Sequence, residues 1–326
     1  RKTEKGGVIS TSASELEKLH QAHPIVGKIL EYRELTKLQN TYVDTLPQLV
    51  NQKTGRIHTT FNQTGTATGR LSSASPNLQN IPVLSEYGKK IRNAFVAESG
   101  FLLVSFDYSQ IELRIAAHLA KDKKMIEAFK KGSDIHAITA SEVYNVPLEK
   151  VTPELRRNAK TLNFGILYGM GPQALSESTG MSREDAKKFI DEYFGDFAGI
   201  REWIHATKIH AEKNGYVETL FGRRRPIPEI HSQNWQIKRE AERAAVNMPV
   251  QGTAADLVKM AMIRVHEWLK KEGMEGDARM LLQVHDELLF EIKESAVSNI
   301  APKIKEIMGN AARLSVPLIV DVKIGK

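Results

Sequence analysis

The spacing of apolar and polar residues predicts helices over most of the chain and a few strands. Residues 13–50 repeat Leu and Ile between charges at helical spacing. In the polar stretch 51–80, residues 56–61 predict a strand and the rest predicts an irregular loop. The apolar run 101–106 predicts a buried strand that ends at Asp107. Apolar residues at every fourth position from Ile111 predict an amphipathic helix directly after that strand.

Further helices and a hairpin are predicted in the middle of the chain. Helical patterns continue to about residue 213, and Pro153 stands near the start of one of them, where proline is favoured. Residues 216–228 predict a hairpin. Residues 234–270 predict a long helix interrupted and kinked at Pro249, because proline removes a backbone hydrogen bond and clashes with the preceding turn.

A second hairpin is predicted near the C-terminal end. Residues 279–292 form two apolar runs separated by His285 and Asp286, which predicts a hairpin with charge at its tip. A helix and a final strand at 318–322 follow. Because strands and helices do not alternate regularly, the pattern favours an α+β fold with helical lobes over a doubly wound sheet.

Composition excludes several classes of protein. The 326 residues contain no cysteine, which rules out disulfides, thiolate zinc sites and cysteine nucleophiles. No apolar run approaches the roughly 20 residues that span a bilayer, and residues 1–10 lack the apolar segment of a signal peptide. The chain does not begin with Met, so we expect it to be a fragment of a longer protein.

The charge of the chain suggests nucleic acid as a partner. The net charge is +7 and the pI is about 9.3. Basic residues cluster at 156–160, at 223–225 and at 238–243, whereas acidic residues are scattered. On charge alone, a nucleic-acid partner and a plain solvated basic surface both remain open.

Two carboxylates stand at predicted strand ends. Asp107 ends one strand and Asp286 lies at a hairpin tip, with Glu287 directly after it. For each one alone, a solvated turn or strand residue is the simpler interpretation. Together, in a basic chain, two such carboxylates are what Mg²⁺ prefers, because it takes one or two carboxylates and fills its other positions with water and substrate phosphate.

Six segments carry a resemblance to a known family. DYSQIELR at 107–114 looks like motif A of family A DNA polymerases, the bacterial DNA polymerase I group, RRNAKTLNFGILYG at 156–169 like motif B, and VHDE at 284–287 like motif C. The further matches are TGRLSS at 68–73, PNLQNIP at 76–82 and QGTAAD at 251–256. They follow the order and spacing of the family over nearly the whole chain.

The resemblance implies an α+β right-hand polymerase fold, with an antiparallel palm sheet, helical fingers and a partial helical thumb. It implies a partial thumb at 1–50, palm with motif A and the start of the fingers at 51–150, fingers with motif B at 151–232, and palm with motif C at 233–326. The family's upstream exonuclease domains and first part of the thumb are expected to be missing, so we expect no proofreading from this chain.

The implied reaction is addition of dNTPs to a primer 3′-OH by two-metal-ion nucleotidyl transfer. Asp107 and Asp286 would hold two Mg²⁺ ions, which Mn²⁺ can replace, with the main-chain carbonyl of Tyr108 as a further ligand. Glu287 would support this catalytic site. Lys160 would protonate the leaving pyrophosphate.

Motif B places two cations before two aromatic residues on one slowly turning helical stripe, Arg156, Lys160, Phe164 and Tyr168. Cations suit a triphosphate, and aromatic rings suit a base or sugar face. Without the family, a solvated basic end that continues into an apolar core face explains the same stripe. The resemblance implies dNTP binding, with His136 assisting at the phosphates.

Motif A contributes two further dNTP-binding residues, Gln110 and Glu112. The resemblance makes Glu112 a steric gate that closes, together with Tyr168, the space a ribose 2′-OH needs. An ordinary exposed helical Glu is the alternative. Family members with Phe at the position of Phe164 tend to reject dideoxynucleotides, and those with Tyr accept them.

The resemblance also implies contacts with primer–template DNA. The candidates are Arg70, Asn247, Gln251 and His285, followed by Arg243, Asn77 and Gln79, for which hydrogen bonding within the fold is an equal alternative. Arg, Asn and Gln can donate to the minor-groove acceptors that every base pair presents, which checks pair geometry without reading sequence.

Other functions fit the chain less well. A single-subunit RNA polymerase is disfavoured by Glu112 in an intact DYSQIE segment, and a catalytically weak or inactive DNA-binding fragment is disfavoured by the intact carboxylates and motif B cations. The expected partners are primer–template DNA and dNTPs, with no membrane, and the expected state is a monomer. The expected location is the bacterial cytoplasm at the nucleoid, with an organelle or phage origin left open.

Overall fold

The chain divides into two compact units in a computed structural model that describes residues 9–82 and 85–325. The first unit comprises Arg1–Phe61 and Ser73–Val96, and the second comprises Asn62–Ser72 and Ala97–Lys326. This division by compactness does not test the four-part assignment into thumb, palm and fingers, which stays a prediction.

The first unit is mainly helical. Its elements, with the two short strands at its boundary, are α1 Ala13–Glu17, α2 Pro24–Leu38, β1 Thr60–Asn62, β2 Ser72–Ala74 and α3 Glu86–Arg92. A single π-helical turn, Gln39–Val43, continues α2. The Tyr42 ring is buried, and its hydroxyl donates to the Asn80 carbonyl at 2.6 Å, which ties this turn to the later part of the unit.

The second unit carries the remaining helices and strands. Its first elements are β3 Phe101–Tyr108, α4 Ile111–Ala120, α5 Lys123–Lys130, α6 Ile135–Val143, α7 Pro153–Leu167, α8 Pro172–Thr179, α9 Arg183–Asp196 and α10 Ala198–Asn214. Its later elements are β4 Tyr216–Glu218, β5 Arg224–Pro226, α11 Trp235–Lys271, β6 Ala278–Val284, β7 Glu287–Lys293, α12 Val297–Gly309 and β8 Val320–Gly325.

A four-stranded antiparallel sheet in the order β6-β7-β3-β8 organises the second unit. Alternation along β3 sends Val104, Phe106 and Tyr108 into the core, where Phe106 meets Phe290 edge to face at 5.4 Å between ring centroids. Asp107 therefore lies on the opposite, more open face. The combination of separate helices with an antiparallel sheet confirms the predicted α+β class.

The strand predictions are confirmed with shifted ends. β3 continues through Asp107 to Tyr108, and β8 begins at Val320 instead of residue 318. Both predicted hairpins are present, as β4–β5 and β6–β7. Within the described residues, no helix is both long and apolar enough to span a bilayer.

The predicted interruption at Pro249 is wrong, whereas the kink expected near it stays a prediction. α11 runs unbroken for 37 residues with Pro249 inside it. A proline inside a helix costs about 3 kcal/mol through its lost hydrogen bond and steric clash. Met248 and Val250 on either side are buried, as is Pro249 itself, so tertiary packing outweighs the local preference for a break.

Candidate active site

Two carboxylates meet at one edge of the central sheet. Asp107 is the penultimate residue of β3, and Asp286 lies in the two-residue turn between β6 and β7. The Tyr108 amide donates to the Asp286 carbonyl at 3.2 Å, which joins the strand end to the turn. His285 adopts φ +53°, the left-handed conformation that tight two-residue hairpin turns require. The sequence-predicted proximity of the two aspartates is thus a consequence of strand pairing.

Negative charge accumulates around Asp107. It lies opposite Glu287 on β7 and opposite Asp321 on β8. Burial raises the pKa of Asp107, and the charges of Glu287 and Asp321 raise it further, while Lys323 opposes them. Sequence reasoning missed Asp321 and Lys323, because only the register of the last strand brings them beside Asp107.

The second carboxyl group is also shifted. Burial, together with the charges of Glu112 and Asp107, raises the pKa of Asp286 to about 6, although Arg70 opposes the shift. Two carboxyl groups at one edge therefore resist ionisation in the folded protein. A cation bound between them would remove this penalty.

The donor set fits a hard divalent cation. Among the residues that the structure describes, no group of three acidic or histidine side chains is arranged to hold a metal ion by itself, so a closed all-protein metal cage is not present there. Two carboxylates with water and substrate phosphate satisfy Mg²⁺. The Tyr108 hydroxyl donates to the Met308 carbonyl at 2.8 Å, so the Tyr108 side chain is engaged with α12 and only its main chain can serve the site.

A connected polar network links the carboxylate edge to the end of α7. Arg70 Nη2 lies 2.6 Å from Glu112 Oε1 and 3.7 Å from Asp286 Oδ1. The Tyr168 hydroxyl donates to Glu112 Oε2, and the Gln251 side chain hydrogen-bonds to Tyr168. Burial and the adjacent Glu112 raise the pKa of Tyr168 to about 12, so its hydroxyl keeps its proton at neutral pH.

Three of the predicted site residues lie in or beside this network. Glu112 is only 6% exposed, which rules out the ordinary exposed Glu. Arg70, predicted to contact DNA, lies between two carboxylates, and its DNA contact stays a prediction. Gln110 stands at the N-terminal end of α4 with φ +53°. For a residue other than glycine this conformation costs about 1–2 kcal/mol, so the strand-to-helix turn is locally strained.

The motif B helix presents the predicted stripe on its accessible side. α7 begins with Pro153, after Thr152, whose hydroxyl accepts the Leu155 amide at 3.3 Å. The residues on the accessible side are Arg156, Lys160, Phe164 and Tyr168, whereas those that pack inward are Ala159, Leu162, Asn163, Ile166 and Leu167. The cations and aromatic rings therefore share one face.

His136 lies against this helix in a buried hydrogen-bond network. His136 is only 2% exposed, and its ring lies 5.8 Å from the Phe164 ring, centroid to centroid. The side-chain nitrogen of Asn163, Nδ2, is 3.0 Å from both His136 Nδ1 and Thr139 Oγ1. The Thr139 hydroxyl in turn donates to the Ile135 carbonyl at 2.8 Å. Because the Asn163 NH₂ group can only donate, His136 Nδ1 is the acceptor in this hydrogen bond.

The protonation of His136 follows from that arrangement. Burial, aided by the charges of Arg156 and Lys160 and opposed by Asp134, lowers the pKa of His136 to about 4. The ring is therefore neutral at pH 7 and carries one proton. Because Nδ1 accepts from Asn163, that proton lies on Nε2, which leaves Nε2 as a hydrogen-bond donor.

Asp134 connects the start of α6 to the basic end of α7. Its Oδ1 accepts the amides of His136 and Ala137 at 3.0 and 3.2 Å, and its Oδ2 accepts from Arg156 Nε at 2.6 Å. Sequence reasoning missed both Asp134 and Asn163. Asp134 has a local signal, an Asp directly before a helix, whereas a mid-helix Asn such as Asn163 has none that points to His136.

The remaining candidates of the second unit lie on α11 and at the β6–β7 hairpin turn. Gln251 contacts Tyr168, as above, and Asn247 is partly buried one helical turn earlier on α11. Arg243 packs on Gly169, where an added Cβ would lie 2.5 Å from Arg243 Cγ. His285 is exposed at the hairpin turn. Their DNA contacts stay predictions.

Asn77 and Gln79 belong to the first unit. The Asn77 side chain accepts the Gln79 amide at 3.0 Å and caps a short helical turn, Leu78–Asn80. This is the hydrogen bonding within the fold that was the alternative for Asn77.

Two arginines of the 223–225 run have structural partners, since Arg224 Nε lies 3.2 Å from Glu218 Oε2 and Arg223 pairs with Asp256. Arg223 Nη2 lies 2.8 Å from Asp256 Oδ1, and the Thr219 hydroxyl donates to Asp256 Oδ2 at 2.9 Å. Gly69, with φ +78°, has no room for a Cβ, which would lie 2.6 Å from Arg223 Nε. This close approach fixes the segment that carries Arg70.

Comparison with known proteins identifies the class of this fold and then its family. The solved POL domain of Pol1 from M. smegmatis, in complex with DNA primer-template and dNTP, superposes with a TM-score of 0.93 at 47% identity, covering 100% of this chain and 57% of that chain. The fold is thus that of a polymerase domain. Residues 1–326 match DNA polymerase family A, and the chain belongs to that family.

Curated relatives are similar over the whole chain. The thermostable DNA polymerase I of Thermus thermophilus is 55% identical over 325 residues, which are 100% of this chain and 38% of the relative. The DNA polymerase I of Pseudomonas aeruginosa is 47% identical over 324 residues, 99% of this chain and 35% of that protein. The chain therefore spans less than two fifths of the length of these relatives.

Proposed function

We propose that this chain is a template-directed DNA polymerase that adds dNTPs to a primer 3′-OH. The observation that carries the proposal is the network that joins Asp107 and Asp286 of the sheet edge, through Arg70 and Glu112, to Tyr168 of motif B. The similarity to a domain solved with DNA primer-template and dNTP supports it. We propose that it acts as a monomer.

In this proposal Asp107 and Asp286, with the Tyr108 carbonyl, would hold two Mg²⁺ ions. Bound there, the metals would lower the pKa of the attacking hydroxyl and neutralise charge on the phosphates. The protein contributes a rigid sheet edge that keeps the two carboxylates together although their charges repel. Glu287 and Asp321 add to the negative field that attracts the cations.

The α6–α7 face binds the triphosphate. Arg156 and Lys160 supply positive charge on the accessible side of α7, and in this proposal Lys160 would protonate the pyrophosphate leaving group. The neutral His136 would donate a hydrogen bond from its Nε2–H group to a phosphate oxygen, and it keeps its proton. The Phe164 ring lies beside His136 and faces the sugar of the incoming nucleotide.

Selection of the sugar rests on Glu112 and Tyr168. Their hydrogen bond closes one side of the site, and Arg70 holds the second Glu112 oxygen at 2.6 Å. A buried side chain held from two sides cannot move aside at low cost, so a ribose 2′-OH would meet a rigid surface. The proposed activity is nucleotide addition alone, and it assigns no proofreading reaction to this chain.

Primer extension tests the proposal. Four duplexes that differ only in the first templating base are each offered one dNTP at a time, with Mg²⁺, with Mn²⁺ or with a chelator. We expect only the complementary dNTP to be added, and only with a cation. DNA binding without extension would identify an inactive binding module instead, and extension that ignores the templating base would contradict the proposal.

A further inference from the structure

An exposed aromatic side chain stands at the start of α11. Trp235 is 65% exposed, and the Arg239 guanidinium lies over its ring at 4.6 Å from the centroid. The other two tryptophans, Trp203 and Trp268, pack against the core. The Trp235 indole is therefore a large flat surface available to a ligand, with a cation held beside it.

This pair adjoins the turn that leaves the candidate active site. Arg243 packs on Gly169, and Arg239 Nη2 lies 3.7 Å from the position of a Cβ on Gly171. Trp235, Arg239 and Arg243 follow each other at intervals of four residues, about one helical turn each. Arg243 and Arg239 lie against the turn after α7, and Trp235 continues their spacing under the Arg239 guanidinium. We call Trp235 and Arg239 together the α11 platform.

The same row leads back to the active site. Asn247 and Gln251 continue the four-residue spacing along α11, and Gln251 hydrogen-bonds to Tyr168. The contacts therefore run from the network at Glu112, through Tyr168 and the following turn, to the α11 platform. A strand that leaves the site along this row would pass over the Trp235 ring.

The chemistry of the platform suits an unpaired nucleotide. An aromatic ring stacks on the face of any base, and an arginine adds a cation–π or phosphate contact, so the binding is tolerant of sequence. In a duplex the base faces are covered by neighbouring base pairs, which leaves only single-stranded bases free to stack on Trp235. The neighbouring Lys238 instead pairs with Glu212 of α10 at 2.9 Å.

We propose that the α11 platform binds the unpaired template strand ahead of the nucleotide being copied. This inference rests on the proposed polymerase function, in which the template must leave the site as a single strand. Trp235 stacks on a base of that strand, and Arg239 holds the ring and contacts the adjacent backbone. The row through Arg243 leads the strand to the platform.

Binding to matched DNA substrates tests the inference. Dissociation constants are measured for a primer–template with a blunt end and for the same duplex with template 5′ overhangs of increasing length. We expect the wild type to bind the longer overhangs at least about fivefold more tightly than the blunt duplex, which is about 1 kcal/mol. Trp235→Ala should remove most of that ratio, and Trp235→Phe should restore part of it.

Two further variants separate stacking from charge. Arg239→Gln should reduce the overhang ratio and its salt dependence. Ile263→Ala is the matched control, because Ile263 is 57% exposed on the same helix but lies at the other end. Its overhang ratio should equal that of the wild type. Each substituted side chain is exposed, and thermal unfolding of each variant will verify that the fold is kept.

Removing single bases from the overhang tests, as in a double-mutant cycle, whether those bases contact Trp235. Abasic nucleotides at the overhang position that stacks should weaken wild-type binding but not binding by Trp235→Ala, since both changes remove the same contact. An overhang ratio that is near one in the wild type, or unchanged in Trp235→Ala, would overturn the platform while leaving templated extension intact. Failure of the wild type to extend any primer would instead overturn the proposed function.

Discussion

The carboxylate edge of the sheet and the α6–α7 face of the same unit differ in whether their charged and polar groups are balanced by partners within the protein. At the sheet edge, burial and mutual repulsion raise the pKa of Asp107 and Asp286. At the α6–α7 face, Arg156 pairs with Asp134 and the buried His136 is neutral with a hydrogen-bonded Nδ1. Ionisation of the two aspartates is thus unfavourable in the protein alone, whereas Arg156 and His136 already have partners within the protein.

The difference shows which parts of the site the fold must force into place. The carboxylates are held by backbone pairing between β3, β7 and β8, which side-chain repulsion cannot undo. The α6–α7 face is held by side-chain hydrogen bonds that each add modest stability. Changes at the sheet edge should therefore affect chemistry strongly and leave the fold intact, whereas changes at the helix face should shift affinity by smaller factors.

The largest expected effect is loss of extension when either aspartate is replaced. Asp107→Asn and Asp286→Asn should each lower the rate by about a thousandfold or more, because metal-assisted charge stabilisation contributes several kcal/mol to phosphoryl transfer. Single-turnover extension measures it. Asp277→Asn, which changes an exposed carboxylate paired with Lys293, is the control and should extend normally. Near wild-type extension by either active-site variant would contradict the metal assignment.

The second effect is a gain of stability from the same substitution. The Asp286 side chain is 25% exposed, and its pKa rises from the ordinary 3.8 to about 6. Ionising it in the folded state therefore costs about 3 kcal/mol above pH 7, and the cost disappears as the pH falls through 6 towards 4. With a chelator present, Asp286→Asn should be the more stable protein at pH 7–8 and equal to the wild type near pH 4.

Denaturant unfolding across that pH range measures the difference. A stability difference that does not change with pH would show that the Asp286 carboxyl group is not strained in the metal-free protein.

The third effect concerns the connection between the two regions. Glu112→Ala removes the carboxylate that binds both Arg70 and Tyr168. It should raise rNTP incorporation relative to dNTP by about 10- to 100-fold, the range for a changed pocket contact. Glu112→Gln keeps the size of the side chain and should change the ratio much less. Competition between rNTP and dNTP measures it, and an unchanged ratio in Glu112→Ala would remove the gate.

The fourth effect lies on the helix face. The Phe164 ring offers no polar atom to replace the 3′-OH that a dideoxynucleotide lacks. The wild type should prefer dNTPs, and Phe164→Tyr should reduce that preference about tenfold, since one hydrogen bond is worth about 0.5–3 kcal/mol. The relative incorporation efficiencies measure it. If the wild type accepts ddNTPs freely, Phe164 does not face the sugar.

The smallest expected effect comes from the residue that orients His136. Asn163→Ala should raise the dNTP KM about fivefold with little change in kcat, because it removes one hydrogen bond from a group that acts on the ground-state triphosphate. NMR of the imidazole nitrogens should show the proton no longer confined to Nε2. Asn158 lies on the same helix as Asn163 and hydrogen-bonds to the Tyr144 hydroxyl. Asn158→Ala should therefore leave both the dNTP KM and the imidazole NMR signals unchanged.

Local patterns predicted much of this molecule. The β6–β7 hairpin and α7 depend on turn residues, alternation and a first-turn proline, all of which are local signals. Pro249 failed as a predictor because a local rule about backbone hydrogen bonds ignores the buried side chains around it. The family resemblance supplied the candidate residues, but not their contacts.

Contacts between distant positions could not be predicted from spacing. Arg70 meets Glu112 across 42 positions, and Tyr168 meets Glu112 across 56. The sequence gives no sign that Asn163 is part of the site, because a polar residue inside a helix usually faces solvent. Its burial against His136 depends on how α6 packs on α7, which no local pattern encodes.

The strand register at Asp107 has a consequence for how this gene can change. Side chains along β3 alternate between core and site, so inserting or deleting one codon before Asp107 would reverse the phase of the strand. Phe106 would then stand at the sheet edge and the carboxylate would point into the core. Point substitutions in β3 can be absorbed one at a time, but a single-codon length change disables the site and the core together. The spacing between Phe101 and Asp107 therefore matters to the candidate active site as much as the aspartate itself.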